Sequence, residues 1–287
     1  MLCHPHVDPP FMRQEIVAIE EHAPMARDTY RLRLPCPEVA ASILPGQFMM
    51  FRLPGTNDPL LGRPLALYDT YCDGAGRPAG IDIVYLAIGR MTRRFAAMKP
   101  GDSLEIWGPL GNGFPPTETG HLIMVAGGIG QTPFMALARH YLGHAEYGQP
   151  PLAVSRAKKV SLCYGLRTAA YIAGVEDFRR AGVNVCISTD DGTAGHHGTV
   201  VELMPALVEA SDLPCRIVAC GPEKMLHATV KMADRLGLNC QVSLESPMAC
   251  GIGICFSCVT KIRDGQEWDY RRICVEGPVF DAANVEF

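Results

Sequence analysis

An antiparallel β-barrel, then a doubly wound parallel α/β domain, then a small C-terminal appendage is the architecture that this sequence predicts. Three observations carry it. Between Arg13 and Gly108 short apolar–polar alternations are separated by turn signals. After "PLGNGFPPTETG" the rhythm becomes apolar strand, loop, amphipathic helix, repeated. From Gln241 onward glycine and cysteine punctuate the chain and no long periodic element remains.

Bulk properties set the limits. The 287 residues are enough for two ordinary domains and a small third. Hydrophobic content of 48% with 20% charged residues is that of a soluble globular protein, and no apolar run is long enough to span a membrane as a helix. A net charge of −4 gives no reason to expect a nucleic-acid partner. The start, "MLCHPHVDPPFMRQ", has neither the basic nor the apolar region of a secretory signal, so a cytoplasmic, reducing location is expected. Twelve cysteines there are more readily core thiols plus a metal site than disulfides.

In the first part, "EIVAIEE", "TYRLRL", "FMMFRL", "DIVYLAI" and "SLEIW" read as strands, with a short helix from about Thr92 to Met98. Five or six strands at this spacing suggest a small antiparallel barrel. In the second part "HLIMVA", "VSLCYG", "VNVCIST" and "RIVAC" are the buried strands, each followed by a loop and a helix. The resulting division is a flexible tail over 1–12, a barrel over 13–117, an α/β domain over 118–240 and the appendage over 241–287.

The appendage carries the sharpest motif. Cys250, Cys255 and Cys258 in "MACGIGICFSC" have the spacing C-x4-C-x2-C, and Cys274 follows sixteen positions on. That is the ligand pattern of plant-type [2Fe–2S] clusters. A tight loop wraps the cluster, Gly251 and Gly253 let the backbone approach the sulfides, and a fourth thiolate on a returning strand closes the cage. Zinc is the competing reading, but structural zinc sites usually show two C-x2-C pairs and only one is present. The other eight cysteines share no spacing and read as small buried hydrophobes.

In the α/β part, "VAGGIGQTP" places Gly127, Gly128 and Gly130 where a strand gives way to a helix. A pyrophosphate could approach this backbone, and Thr132 could cap the helix. The G-x-G-x-x-G fingerprint is not met. A second turn, Cys220-Gly221-Pro222, ends a later strand of the same sheet, and ligands bind at the carboxyl ends of such strands. Two open turns there suit a nicotinamide, with Cys220 beside it or, on the blander reading, simply buried. Arg167 and Asp191 lie near the adenosine end or are solvated surface charges. His196 and His197 lack a third ligand and read as loop residues.

In the barrel, Arg63 held by Pro64 could clamp a phosphate, and the strand ending at Gly89 hands over to a helix at Met91-Thr92, a second place for a diphosphate. The electron arithmetic ties these parts together. A [2Fe–2S] cluster carries one electron and a nicotinamide takes two with a proton, so something must convert between them, and a flavin can. No second substrate pocket is evident, so the other substrate is expected on a partner subunit docking near the cluster.

The order R-P-x-S/T, G-x-x-T, GPLGNGF, GGIG-x-x-P, CGP resembles the ferredoxin–NADP reductase superfamily. The closing "SLESPMACGIGICFSCV" with "CVEGPVF" resembles the electron-transfer subunits of B-type dihydroorotate dehydrogenases, and the likeness covers about Arg13 to Phe280. It implies an FAD-binding barrel, an NAD-binding domain and a [2Fe–2S] domain. Flavin contacts would fall on Arg63, Pro64, Leu65, Ala66, Val84, Tyr85, Leu86, Met91 and Thr92. The cluster ligands would be Cys250, Cys255, Cys258 and Cys274. It also implies an FMN-containing dihydroorotate dehydrogenase catalytic subunit as partner, in a heterotetramer serving pyrimidine biosynthesis. Ala66 stands where the pattern has a hydroxyl, and Met91 where glycine is common. A diaphorase subunit of a soluble hydrogenase, or a ferredoxin:NAD(P)+ oxidoreductase, uses the same parts. A non-enzymatic iron–sulfur or zinc scaffold is the remaining alternative. NAD and NADP are not distinguished by any clear 2′-phosphate clamp.

Overall fold

A computed structural model describes residues 12–287; most of the tail expected over 1–12 lies outside the described residues. The barrel part contains β1 (Arg13–Ala18), β2 (Glu21–Ala26), β3 (Thr29–Leu34), α1 (Pro37–Ser42), β4 (Phe48–Arg52), β5 (Arg63–Cys72), β6 (Pro78–Leu86), α2 (Arg90–Ala96) and β7 (Ser103–Leu110). These seven strands form one antiparallel sheet in the order β1-β7-β4-β5-β6-β3-β2. Its two edge strands, β1 and β2, do not pair with each other, so the expected antiparallel barrel is present as a half-barrel, with seven strands in place of five or six. The extra strand, β2, carries Pro24 and a register shift against β3. A proline cannot donate to a ladder, which is why this segment is confined to the edge. The helix begins at Arg90, two residues before the expected Thr92, because Thr92 Oγ1 reaches back 3.0 Å to accept from the Gly89 N–H.

The α/β part runs β8 (His121–Gly127), α3 (Phe134–Leu142), β9 (Lys159–Leu166), α4 (Val175–Arg180), β10 (Asn184–Thr189), β11 (His196–His197), α5 (Met204–Glu209), β12 (Cys215–Cys220), α6 (Glu223–Arg235) and β13 (Cys240–Ser243). The strand order β11-β10-β9-β8-β12-β13 is parallel and reverses direction of build at β8, a doubly wound sheet with its switch point between β8 and β12.

The C-terminal segment holds the hairpin β14 (Val259–Asp264) and β15 (Glu267–Arg272), then β16 (Val279–Asp281). It is packed into the rest of the molecule. The division expected at residue 240 falls inside β13, and β16 pairs antiparallel with that strand, Val242 opposite Phe280. One buried cluster contains Phe48, Met50 and Leu110 of the half-barrel and Ile123, Val125 and Ile217 of the sheet. Met248, Cys258, Ile273 and Cys274 of the C-terminal segment belong to the same cluster. Burial of this shared apolar surface, at about 25 cal/mol per Å², ties the three parts together. Asn112 adds polar stitching, donating to the Glu276 and Val279 carbonyls (3.1 and 2.9 Å) and accepting from the Val279 N–H (3.0 Å).

Candidate functional site

The loop from Met248 to Cys258 rides on the half-barrel. The Trp107 indole N–H donates to the Cys250 carbonyl at 3.0 Å. A Cβ on Gly251 would lie 2.7 Å from Met50 and 3.0 Å from Leu110, so only glycine fits against these strands. Gly253 has φ of +82°, and its Cβ would strike Val275 at 2.6 Å. Phe256, between the second and third cysteines, holds φ of +53° although it has a side chain, a strained backbone of the kind kept at functional sites.

The four cysteines come together as two pairs. Cys250 and Cys255 have sulfurs 3.2 Å apart near the surface. Cys258 and Cys274, 1% and 2% exposed, are neighbours in the buried cluster beneath the half-barrel. Hydrogen bonds from Ser257, then from Cys250, hold the Cys255 thiol down to about 6. Burial, then the Cys258 neighbour, pushes Cys274 up to about 12, with the Gly253 N–H pulling the other way. Among the described residues no three Cys, His, Asp or Glu side chains converge on a point that would hold one metal ion. Two thiol pairs suit a two-iron cluster better than one tetrahedral zinc. The donor set is all-sulfur, and the Ile252 N–H points at Cys250 Sγ at 3.4 Å, so the residues present fit a [2Fe–2S] group.

The strand β5 begins beside this loop. Met50 pairs with Pro64 and Phe48 with Ala66 along the β4–β5 ladder. Arg63 Nη1 donates to the Leu61 and Gly62 carbonyls (3.1 and 2.9 Å), which fixes the guanidinium at the strand entry. Pro64, Leu65 and Ala66 are half-buried and open to a ligand. Val84 and Leu86 share one face of β6, whereas Tyr85 points the other way, stacked on His22 and Tyr30 inside the half-barrel. Met91 is fully buried in the same core, and Thr92 is occupied in capping. Contacts to a flavin from Tyr85 and Met91 are therefore limited to backbone atoms.

At the switch point the two glycine turns touch each other. A Cβ on Gly130 would lie 2.3 Å from the Cys220 carbonyl oxygen, and one on Gly127 2.6 Å from Met225. These two glycines are demanded by turn-on-turn packing; Gly128 alone faces open space. Thr132 does not cap α3. It closes a 3-10 turn with αR angles, and Pro133 starts the helix without any side-chain cap. Gly221 and Pro222 form the facing lip. Cys220 is 2% exposed in the core, its thiol pushed well above the usual range by burial first, so it behaves as a hydrophobe.

Sequence reasoning missed Glu245. It follows β13 at the same end of the sheet, close enough for its charge to act on Cys220. Solvent reaches it, yet the surrounding walls raise its carboxyl pKa, and no cation among the described residues pairs with it. A lone glutamate after a short strand gives no sequence signal. Gln131 was also missed. Its side-chain amide is fully buried with neither atom partnered, near Tyr68 and Gly174 at the seam between half-barrel and sheet. Asp191 sits at the end of β10 and accepts from the Thr193 N–H and hydroxyl (3.0 and 2.6 Å), while Arg167 is exposed at the end of β9. His196 pairs with Glu202 at 2.8 Å and joins no metal-binding group among the described residues.

A half-barrel whose strand β5 opens beside a parallel nucleotide-binding sheet defines the ferredoxin–NADP reductase-like oxidoreductases. A solved structure of an NADH-dependent reduced ferredoxin–NADP oxidoreductase, studied for flavin-based electron bifurcation, has this fold. It superposes with a TM-score of 0.78 at 25% identity over 95% of this chain and 90% of its own. Residues 124–231 match the oxidoreductase NAD-binding domain, and residues 245–286 match the iron–sulfur cluster binding domain of dihydroorotate dehydrogenase B. The "Dihydroorotate dehydrogenase B (NAD(+)), electron transfer subunit" of Geobacillus kaustophilus is 34% identical over 95% of this chain and 98% of its own length. That of Caldanaerobacter subterraneus is 33% identical over 85% and 87%. The chain belongs to the family of electron-transfer subunits of dihydroorotate dehydrogenase B.

Proposed function

We propose that this chain carries electrons from a flavin-bearing dihydroorotate dehydrogenase catalytic subunit to NAD+. A [2Fe–2S] cluster would be held by Cys250, Cys255, Cys258 and Cys274. FAD would lie against Arg63, Pro64, Leu65 and Ala66 and the half-buried Leu86 end of β6, and nicotinamide in the crevice between Gly128 and Gly221. When bound, the flavin supplies the conversion between one- and two-electron chemistry. The chain's own residues hold, orient and exclude water.

The observation that carries this reading is the bridge between the cluster loop and the strand entry. Trp107 donates to Cys250 and at the same time would meet a Cβ on Gly62 at 2.6 Å; Met50 meets both Gly251 and Gly62. One layer of side chains thus separates the thiol loop from Arg63. On the outer side, Ile254 and Phe256 stand 74% and 61% exposed beside Cys255, an apolar face suited to the catalytic partner.

The test is anaerobic purification of the tagged chain with whatever it binds, followed by an assay of NAD+ reduction with dihydroorotate as donor. Activity supports the partner and the direction of flow. Reduction of flavin and cluster by NADH without any dihydroorotate activity would move the chain to a diaphorase-type role.

A further inference from the structure

The cluster loop is gripped by one side chain that belongs to neither the thiol set nor the flavin strand. Arg272 lies at the end of β15, two residues before Cys274. Its Nη1 donates to the Gly253 carbonyl at 3.2 Å, inside the loop between the first and second cysteines. Its guanidinium carbon sits 5.1 Å from the centre of the Phe256 ring, between the second and third cysteines. On the far edge, Glu276 Oε2 accepts from Nε at 3.1 Å and from the Arg272 backbone N–H at 2.7 Å, and Arg271 donates to the other oxygen of the same carboxylate at 3.3 Å. The ion pair therefore turns its positive end toward the loop and its negative end away from it. A planar fork can make these contacts together; an ammonium cannot.

We infer that Arg272 is a positioning residue for the cluster: it fixes the Gly253 peptide and the Phe256 ring on either side of Cys255 and so raises the affinity of the site for an electron. Hydrogen bonding and net charge around the sulfurs set the potential of such clusters. A carbonyl engaged by a guanidinium is turned away from the thiols, which leaves N–H groups rather than lone pairs facing them. Phe256 pays its left-handed backbone only because the ring is held; without the guanidinium the loop is free to relax.

This inference rests on the reading of the four cysteines as [2Fe–2S] ligands, and the experiment separates the two. The full chain with its copurified partner is assayed for iron and acid-labile sulfide, then titrated with dithionite and mediators while the reduced cluster is followed by electron paramagnetic resonance. Arg272→Gln is expected to keep its iron and sulfide while the reduced fraction at the native midpoint falls roughly tenfold in ratio, which for a one-electron couple corresponds to 59 mV. The resonance lines should broaden. Arg272→Lys, which keeps charge without the fork, should fall between the two. A fully loaded Arg272→Gln protein with native midpoint and line shape overturns the inference. If Arg272→Gln does not accumulate as folded protein, Arg272→Lys decides alone: a native midpoint and spectrum there overturn it equally. Absence of iron and sulfide from the unaltered chain would instead remove the cluster reading.

Discussion

Cys163 on β9, Cys220 on β12 and Cys240 on β13 lie within the parallel sheet, each nearly sealed from solvent, and burial drives all three thiols upward. Cys255 lies on a glycine-rich loop in the open, where Ser257 and Cys250 hold its thiol down to about 6. The residue type is the same and the chemistry opposite. In the sheet a cysteine is a small apolar filler; on the loop it is a thiolate ready for iron. What separates them is first burial and then the supply of hydrogen-bond donors, which the loop obtains by leaving regular structure.

The largest effect that would break this contrast is a swap of roles. Cys258→Ser should reduce iron and sulfide content to near zero, whereas Cys163→Ala should retain the full complement. NADH should still bleach the flavin in both. Retained iron in Cys258→Ser would mean that the loop is not the ligand set.

The two glycine turns extend the contrast to the backbone. Gly130→Ala places a Cβ against three backbone atoms of Cys220 and Gly221, the nearest at 2.3 Å, and should cost about 3 kcal/mol in urea unfolding together with loss of NAD+ binding. Gly128→Ala meets nothing within 4 Å and bears only the penalty of φ +56°, about 1 kcal/mol. Equal costs would show that the turns do not pack as described.

A milder test uses pH. After removal of the cluster, iodoacetamide should label Cys255 with a rate that climbs through pH about 6 and levels above it, because the thiolate is the nucleophile and is lost as pH falls below that value. At pH 7 it should react roughly tenfold faster than Cys72, the exposed thiol at the end of β5. Equal rates by mass spectrometry would remove the special environment of Cys255. The smallest effect belongs to the seam: Gln131→Leu replaces an unpartnered buried amide by an apolar side chain of similar size and should raise stability by about 1 kcal/mol. A loss would mean that the amide is in use.

The elements with strong periodicity were legible from the residues. "TYRLRL" is β3 and "VNVCIST" contains β10 because alternation or continuous apolarity leaves a strand no other way to bury itself. β2 was not, since Pro24 reads as a breaker and only an edge position tolerates it. The cysteine spacing singled out the four thiols; their grouping into a surface pair and a buried pair depends on how the loop lies on Met50 and Leu110, contacts that no local pattern encodes. The motif at Arg63 singled out β5 from the residues alone, whereas the inward turn of Tyr85 and Met91 follows from half-barrel packing. Glu245 and Arg272 owe their positions to β13 and β15, and the contact of Arg272 with Gly253 spans nineteen positions and belongs to no motif.

The pairing of β16 with β13 has a kinetic meaning. A redox group on a tethered module must swing to its acceptor, and its turnover then slows as the solvent thickens. Here the thiol loop is clamped between the Trp107 hydrogen bond on one side and a strand of the nucleotide sheet on the other. Passage of an electron across this chain should therefore be indifferent to glycerol or sucrose, a hop through a fixed solid and not a journey.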